Sequence, residues 1–251
     1  LAGKPAKKRL DQLLLDRGLV GDLTTARGLI MAGKVFVRDQ KHDKAGSKIS
    51  EDVAVEVRGQ DHPWVSRGGL KLAHGLAQFN ISVAGRICVD IGASTGGFTD
   101  VLLSNQAAKV YAVDVGRGQM AWKLRTDARV VVLDKTNARY LNTEQISDPL
   151  DIVVCDASFI GLRSVLPAAM DLAKSGAVLV ALIKPQFEAE KHQVGERGVV
   201  RDQNLHKEIC ENMSNWINDL ANWQVQGITE SPIKGPEGNV EFLIVAQKSE
   251  T

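Results

Sequence analysis

The 251-residue chain has no apolar run approaching the roughly 20 residues that a membrane-spanning helix needs, which argues against a helical membrane protein. Cysteine is scarce. Cys88, Cys155 and Cys210 are scattered without paired spacing, and the first two sit inside apolar, strand-like runs. A disulfide framework and a thiolate metal centre are therefore not expected; buried, reduced thiols are, and no metal. Neither sign of charge dominates: 31 Lys and Arg face 30 Asp and Glu, a formal net charge of +1. Division along the chain is mild, with 12 Lys and Arg against 9 Asp and Glu up to residue 64 and 19 against 21 beyond it. By itself that asymmetry is weak evidence for a nucleic-acid partner. The chain shows no long-period repeat and no low-complexity segment. "KPAKKRLDQ" lacks a signal-peptide pattern, and with reduced thiols a cytoplasmic protein is expected.

What is present reads as two parts. Over residues 1–58, "KKRLDQLLLDRGL" places Leu10, Leu13 and Leu14 on one helix face, and "DLTTARGLIMAGK" gives a second stripe of Ala26, Leu29 and Ile30 closed by Gly33. "KVFVRDQ" and "DVAVEVRG" then alternate with the period of half-buried strands. Residues 59–65 break the pattern with "GQDHPW" and predict a linker, with Trp64 packed in the joint. Over 66–251, "SRGGLKLAHGLAQF" predicts a helix with Leu72, Leu76 and Phe79 on one side. The apolar runs "ICVDIG", "KVYAVDVG", "VVVLDKTN", "LDIVVCDAS" and "AVLVALIKP" alternate with helical patterns such as "GLRSVLPAAMDLAK" and Asn204 to Trp223. Such runs indicate an α/β fold with a mostly parallel sheet covered on both faces, and "WQVQGITESPI" with "VEFLIVAQ" closes it as an antiparallel hairpin.

The most informative stretch is "VDIGASTGGFTD", a strand running into a glycine-rich turn and a helix. In such sheets ligands bind beyond the carboxyl ends of the strands. Gly92, Gly96 and Gly97 do not match G-x-G-x-x-G, and no Lys-Ser/Thr follows, so neither a dinucleotide pyrophosphate site nor a P-loop is indicated. Asp114, ending the next strand, is placed to accept hydrogen bonds from ribose hydroxyls. The spacing with Asp114 favours S-adenosylmethionine over a nicotinamide cofactor; a purely structural turn is the alternative. Asp156 and Lys184 end two further strands, and Glu241 opens the last. If that strand is antiparallel, two carboxylates and a lysine share one rim.

The ordered motifs "RLDQLLLDRGL", "ARGLIMAGKVFV", "VSRGGLKL", "CVDIGASTGGFTD", "VCDASFI", "LIKPQFE" and "GNVEF" resemble the TlyA-type ribosomal RNA methyltransferases, often labelled hemolysin A, over nearly the whole chain. The resemblance implies an S4-like RNA-binding domain (1–58) and a Rossmann-like class I, FtsJ/RrmJ-like methyltransferase domain (66–251). It implies a catalytic tetrad of Lys71, Asp156, Lys184 and Glu241 for ribose 2′-O-methylation, on cytidines of ribosomal RNA or ribosomal subunits. Lys71 lies off the Leu72–Leu76–Phe79 stripe and need not be buried with the helix core. Cofactor contacts are expected from Asp90, Gly92, Ser94, Gly96, Gly97 and Phe98, and from Asp114, Asn137 and Asp156. "LDKTNAR" departs from relatives in carrying Lys135 where they often have Arg.

Methyl transfer from an activated sulfonium needs chiefly positioning. Lys184 is expected to contact the 2′-hydroxyl, either taking its proton or, as an ammonium, stabilising developing negative charge. Lys8, Arg9, Arg17, Arg27, Lys34, Arg38 and Arg67 are expected to contact RNA phosphates. "VGERGVVRD", residues 194–202, is read as either a lid or an ordinary surface loop. A membrane-lytic protein, an inactive RNA-binding assembly factor and a nicotinamide enzyme are the competing classes.

Overall fold

The computed structural model describes residues 6–58 and 62–250, so residues 59–61 of the expected linker lie outside the described residues. The N-terminal part runs β1 (Lys7–Arg9), α1 (Leu10–Asp16), α2 (Leu23–Met31), β2 (Val35–Val37), β3 (Gln40–His42), β4 (Lys48–Ser50) and β5 (Val55–Val57). Asp22 caps α2 by accepting from the Thr25 amide at 2.7 Å. Leu10, Leu14, Ile30 and Val35 are wholly buried in a core separate from the rest of the molecule. "KVFVRDQ" is not one strand: Arg38 and Asp39 adopt φ of +49° and +64°, reversing the chain so that β3 pairs back on β2. The β1–β4 pairing was not legible, because three-residue strands carry too little alternation.

The second part continues α3 (Gly68–Gln78), β6 (Ile87–Ile91), α4 (Gly97–Ser104), β7 (Lys109–Asp114), α5 (Trp122–Arg125), β8 (Val130–Asp134) and β9 (Leu150–Cys155). It ends with α6 (Leu162–Val165), α7 (Pro167–Asp171), β10 (Ala173–Ile183), α8 (Pro185–Glu188), α9 (Gln203–Asp219), β11 (Trp223–Glu230) and β12 (Phe242–Lys248). The sheet order is β11-β12-β10-β9-β6-β7-β8, with β12 antiparallel to both its neighbours and the remaining pairings parallel. This is the mostly parallel, Rossmann-like α/β architecture, closed by an antiparallel last strand. Its two faces carry two apolar layers, one holding Val153, Leu179 and Ile217, the other Leu72, Val101 and Leu182. Because β6 lies between β7 and β9, strand order reverses there, and the turns after β6 and β9 diverge to open a crevice.

Three local expectations are corrected. "GLRSVLPAAMDLAK" is two short helices broken where Pro167 restarts the turn, and β10 already begins at Ala173. The long amphipathic helix stops at Asp219, and Trp223 opens β11 instead. Glu241 precedes β12 rather than belonging to it, yet β12 still returns it to the right edge, because Phe242 pairs with Ile183.

Gly92 shows why the turn after β6 is glycine. Its φ is +79°, and a Cβ would lie 2.9 Å from the Ala157 backbone. Gly92→Ala should lower unfolding free energy by about 1–3 kcal/mol, read as a fall in the urea midpoint; an unchanged midpoint contradicts the close approach.

Candidate functional site

The site forms at the carboxyl edge of the sheet. Parallel pairing sets Ile91 beside Cys155 and Cys155 beside Ala181, so the residues following β6, β9 and β10 emerge along one rim. Lys184, immediately after β10, points its Nζ at Asp156 Oδ1 (2.7 Å), the Asp156 carbonyl (3.2 Å) and Ser158 Oγ (2.9 Å). Lys71 reaches the same carboxylate from α3 at 3.8 Å and donates to Glu241 Oε2 at 2.5 Å. The structure thus brings together all four residues named as a tetrad. Lys71, though off the apolar stripe of α3, is buried, at 7% exposure, where Asp156 and the buried Glu241 pair with its ammonium. Burial works against the Lys71 ammonium, but Asp156 and Glu241 outweigh it and raise its pKa. Burial likewise opposes ionisation of Asp156, and the Lys184 and Lys71 ammoniums overcome it, holding the carboxyl below its usual range.

Beside this centre runs a second arm of the cleft, lined by Ser94, Asp114, Val115, Asn137 and Ala138. Asp114 Oδ2 accepts from the Ser94 amide at 2.8 Å and Oδ1 from the Gly116 amide at 2.7 Å. Val115 stands 71% exposed next to it. Asn137 caps a short turn, accepting from the Arg139 amide at 3.1 Å, and faces the same arm. Gly92 and Ser94 border both arms, and Gly97 and Phe98 line the lysine arm. Gly96 does not border either: its φ is +99°, and a Cβ would meet Leu124 Cδ1 at 2.3 Å, so it serves packing.

Two neighbours were not singled out from sequence. Ser158 holds Lys184, and its only signal is a hydroxyl two residues after Asp156. Phe159 is 90% exposed at φ +65°, its ring centroid 5.2 Å from that of Phe187. No sequence pattern announces an aromatic held out of the core.

Several expected RNA contacts are engaged within the protein. Arg17 is buried and donates to the Val53 and Glu51 carbonyls at 2.6 and 2.7 Å, so it is not available to phosphate. Its position lines both arms of the cleft. Arg9 and Arg27 share Asp11, at 2.8 and 3.1 Å, and Lys8 pairs with Asp16 and Glu51, at 2.6 and 3.0 Å. Lys34 and Arg38 are exposed, and Arg67 is half-buried against Gly21. Trp64 packs on Gly69, where a Cβ would meet its side chain at 2.3 Å. The segment 194–202 is pinned, since Asn239 Oδ1 accepts from the Val200 amide at 3.1 Å. Cys88 and Cys155 are buried free thiols. Among the described residues no cluster of three or more metal-ligating side chains is found, and no helix is long and apolar enough to cross a membrane.

Asp90 lies fully buried at the end of β6, its Oδ2 accepting from the Thr99 amide at 2.9 Å and hydroxyl at 2.6 Å. Burial pushes its pKa up from 3.8 to about 7 against the opposing Thr99 bonds. An acid with a raised folded pKa carries no penalty when both states are protonated. The penalty grows as pH rises from about 4 and is complete above about 7. Asp90→Asn should therefore gain stability relative to wild type on going from pH 5 to pH 8, by on the order of 3 kcal/mol in urea titrations. A difference independent of pH contradicts the raised pKa.

Comparison with known proteins follows the same outline. The FtsJ-like methyltransferase family model matches residues 64–248. The 16S/23S rRNA (cytidine-2′-O)-methyltransferase TlyA of Mycobacterium tuberculosis is 46% identical over 239 residues, covering 95% of this chain and 89% of that protein. Hemolysin A of Brachyspira hyodysenteriae is 42% identical over 236 residues, covering 94% and 98%. A solved Streptococcus thermophilus structure bearing the hemolysin label superposes with a TM-score of 0.81 at 41% identity, covering 98% of this chain and 90% of that one. The chain belongs to the FtsJ-like methyltransferases and, among them, to the TlyA/hemolysin A group.

Proposed function

We propose that this protein transfers a methyl group from S-adenosylmethionine to the ribose 2′-hydroxyl of a cytidine in ribosomal RNA. The observation that carries the reading is the contact of Lys71, Asp156, Lys184 and Glu241 at one strand edge, beside the cleft arm formed by Gly92, Ser94 and Asp114. The name of the M. tuberculosis relative supports the ribose and the cytidine.

The cleft suits the donor. Asp114 offers a carboxylate to ribose hydroxyls, exposed Val115 offers an apolar face to an adenine ring, and Asn137 borders the same arm. The turn carries no cation for a pyrophosphate, which fits a donor without phosphates. When bound, that donor supplies an electrophilic methyl group needing no further activation. The protein's task is then to place and polarise the acceptor oxygen. Lys184 Nζ donates to the Asp156 carbonyl and Ser158 Oγ and is ion-paired with Asp156 Oδ1, which supports an orienting ammonium that stabilises negative charge developing on the 2′-oxygen as its proton passes to solvent. Asp156 fixes both lysine heads, and Glu241 neutralises Lys71 in its buried position. Exposed Phe159 beside Ser158 offers an aromatic face for the target base. The N-terminal part acts as an S4-like docking module, with Lys34, Arg38 and the outward sides of Arg9 and Arg27 toward phosphates.

Lys184→Ala should reduce methyl transfer to unmodified ribosomal subunits by at least about a hundredfold. Its affinity for S-adenosylhomocysteine by calorimetry should stay within a few-fold of wild type. Retained turnover would remove Lys184 from the mechanism.

A further inference from the structure

A groove lies alongside the lysine cleft, between the start of α9 and the connection from β11 to β12. The apolar part of its lining, its floor, is Val200, Ile228, Val240 and Phe242, beside polar Gln203 and Thr229. Exposed Arg201, Lys207 and Lys234 line it as well. Lys234 borders both this groove and the cleft holding Lys71 and Lys184, so the two spaces are neighbours across one side chain.

The groove wall is built rather than loose. Asn239, 3% exposed, accepts from the Val200 amide at 3.1 Å and donates through Nδ2 to the Gly198 carbonyl at 3.0 Å. The Val200 carbonyl in turn lies 3.0 Å from His206 Nε2. The buried His206 ring meets Phe242 edge-on at 5.6 Å. Segment 198–200 is thus fixed from both sides, and Phe242 is continuous in sequence with Glu241.

We propose that this groove is a second nucleotide subsite, taking the nucleotide adjoining the target ribose, with its phosphodiester at Lys234 and its sugar and base over the Ile228–Phe242 floor. The inference rests on the RNA methyltransferase reading. Every internal ribose carries a phosphodiester on each side, so a strand that places its 2′-hydroxyl at Lys184 must lead a phosphate out of the cleft, and Lys234 stands at one exit. Charge agrees with a single phosphodiester. Glu230 and Glu237 also line the groove, so its three cations exceed its carboxylates by one. An acidic peptide would bring several charges to this balance, whereas a nucleotide brings one charge and an apolar face.

The test is steady-state methyl transfer to unmodified ribosomal subunits at saturating S-adenosylmethionine, with subunit and salt concentrations varied. Lys234→Ala should raise KM for the subunit several-fold and reduce the slope of log(1/KM) against log salt by about 1, the signature of one lost phosphate contact. The loss falls on KM rather than kcat. Ile228→Trp, which fills the floor without changing charge, should raise KM and leave the salt slope alone. Lys174→Ala, at the opposite end of β10, is the charge control and should change neither. Wild-type KM and slope in both groove variants would overturn the subsite while leaving the parent reading intact. Absence of transfer by the wild-type protein would overturn the parent reading and the subsite with it.

Discussion

The Asp156 carboxylate stands between two buried lysines that would otherwise repel each other. Lys184 is 2.7 Å from its Oδ1 and Lys71 3.8 Å, while Glu241 takes the other side of Lys71 at 2.5 Å. Burying an ammonium without a partner is strongly unfavourable, and removing one partner from such a pair typically costs about 3–5 kcal/mol. The four groups therefore have to arrive together, and the fold has to deliver them from four elements. β9 and β10 deliver Asp156 and Lys184 by parallel register, and α3 delivers Lys71. The reversed direction of β12 delivers Glu241, whose approach begins at the rim where the parallel strands end.

Much of this was legible in the sequence, for physical reasons that differ by residue. Asp156 and Lys184 end apolar runs long enough to be buried strands, so their place at the rim follows from strand direction. Glu241 required one more inference, the antiparallel closing strand, which the turn "KGPEGN" supports. Lys71 was invisible to periodicity: it lies off the apolar stripe of α3, and its pairing with Asp156 and Glu241 explains its burial. Gly92 and Gly96 look alike in sequence and differ in space, one meeting the Ala157 backbone at the cleft and the other the Leu124 side chain behind it. Arg17 shows the converse limit, since a cation in a basic segment reads as a phosphate contact until its guanidinium is found bonded to two carbonyls.

The N-terminal part is not an appendage to the catalytic sheet. Gly118, at φ +67°, has the Asp52 carbonyl 2.6 Å from where its Cβ would sit, so the β4–β5 turn packs on the loop after β7. Asp16 and Arg17, at the end of α1, border the cleft from the same side. Three of its cations, Lys8, Arg9 and Arg27, are paired to Asp11, Asp16 and Glu51, so a count of basic residues overstates the charge this part presents. Exposed Phe159 and Lys234, which line the two arms of the cleft, belong instead to the second part.

The central claim is that the paired lysines and carboxylates act on a ribose oxygen rather than on a base. Chemical location of the methyl group tests it most directly. Unmodified ribosomal subunits would be methylated with labelled S-adenosylmethionine, and their RNA hydrolysed in alkali. A 2′-O-methyl group blocks cleavage of the adjoining phosphodiester, so the account predicts label in alkali-resistant dinucleotides with cytidine on the 5′ side. Label recovered in alkali-released mononucleotides, on a base, would contradict it.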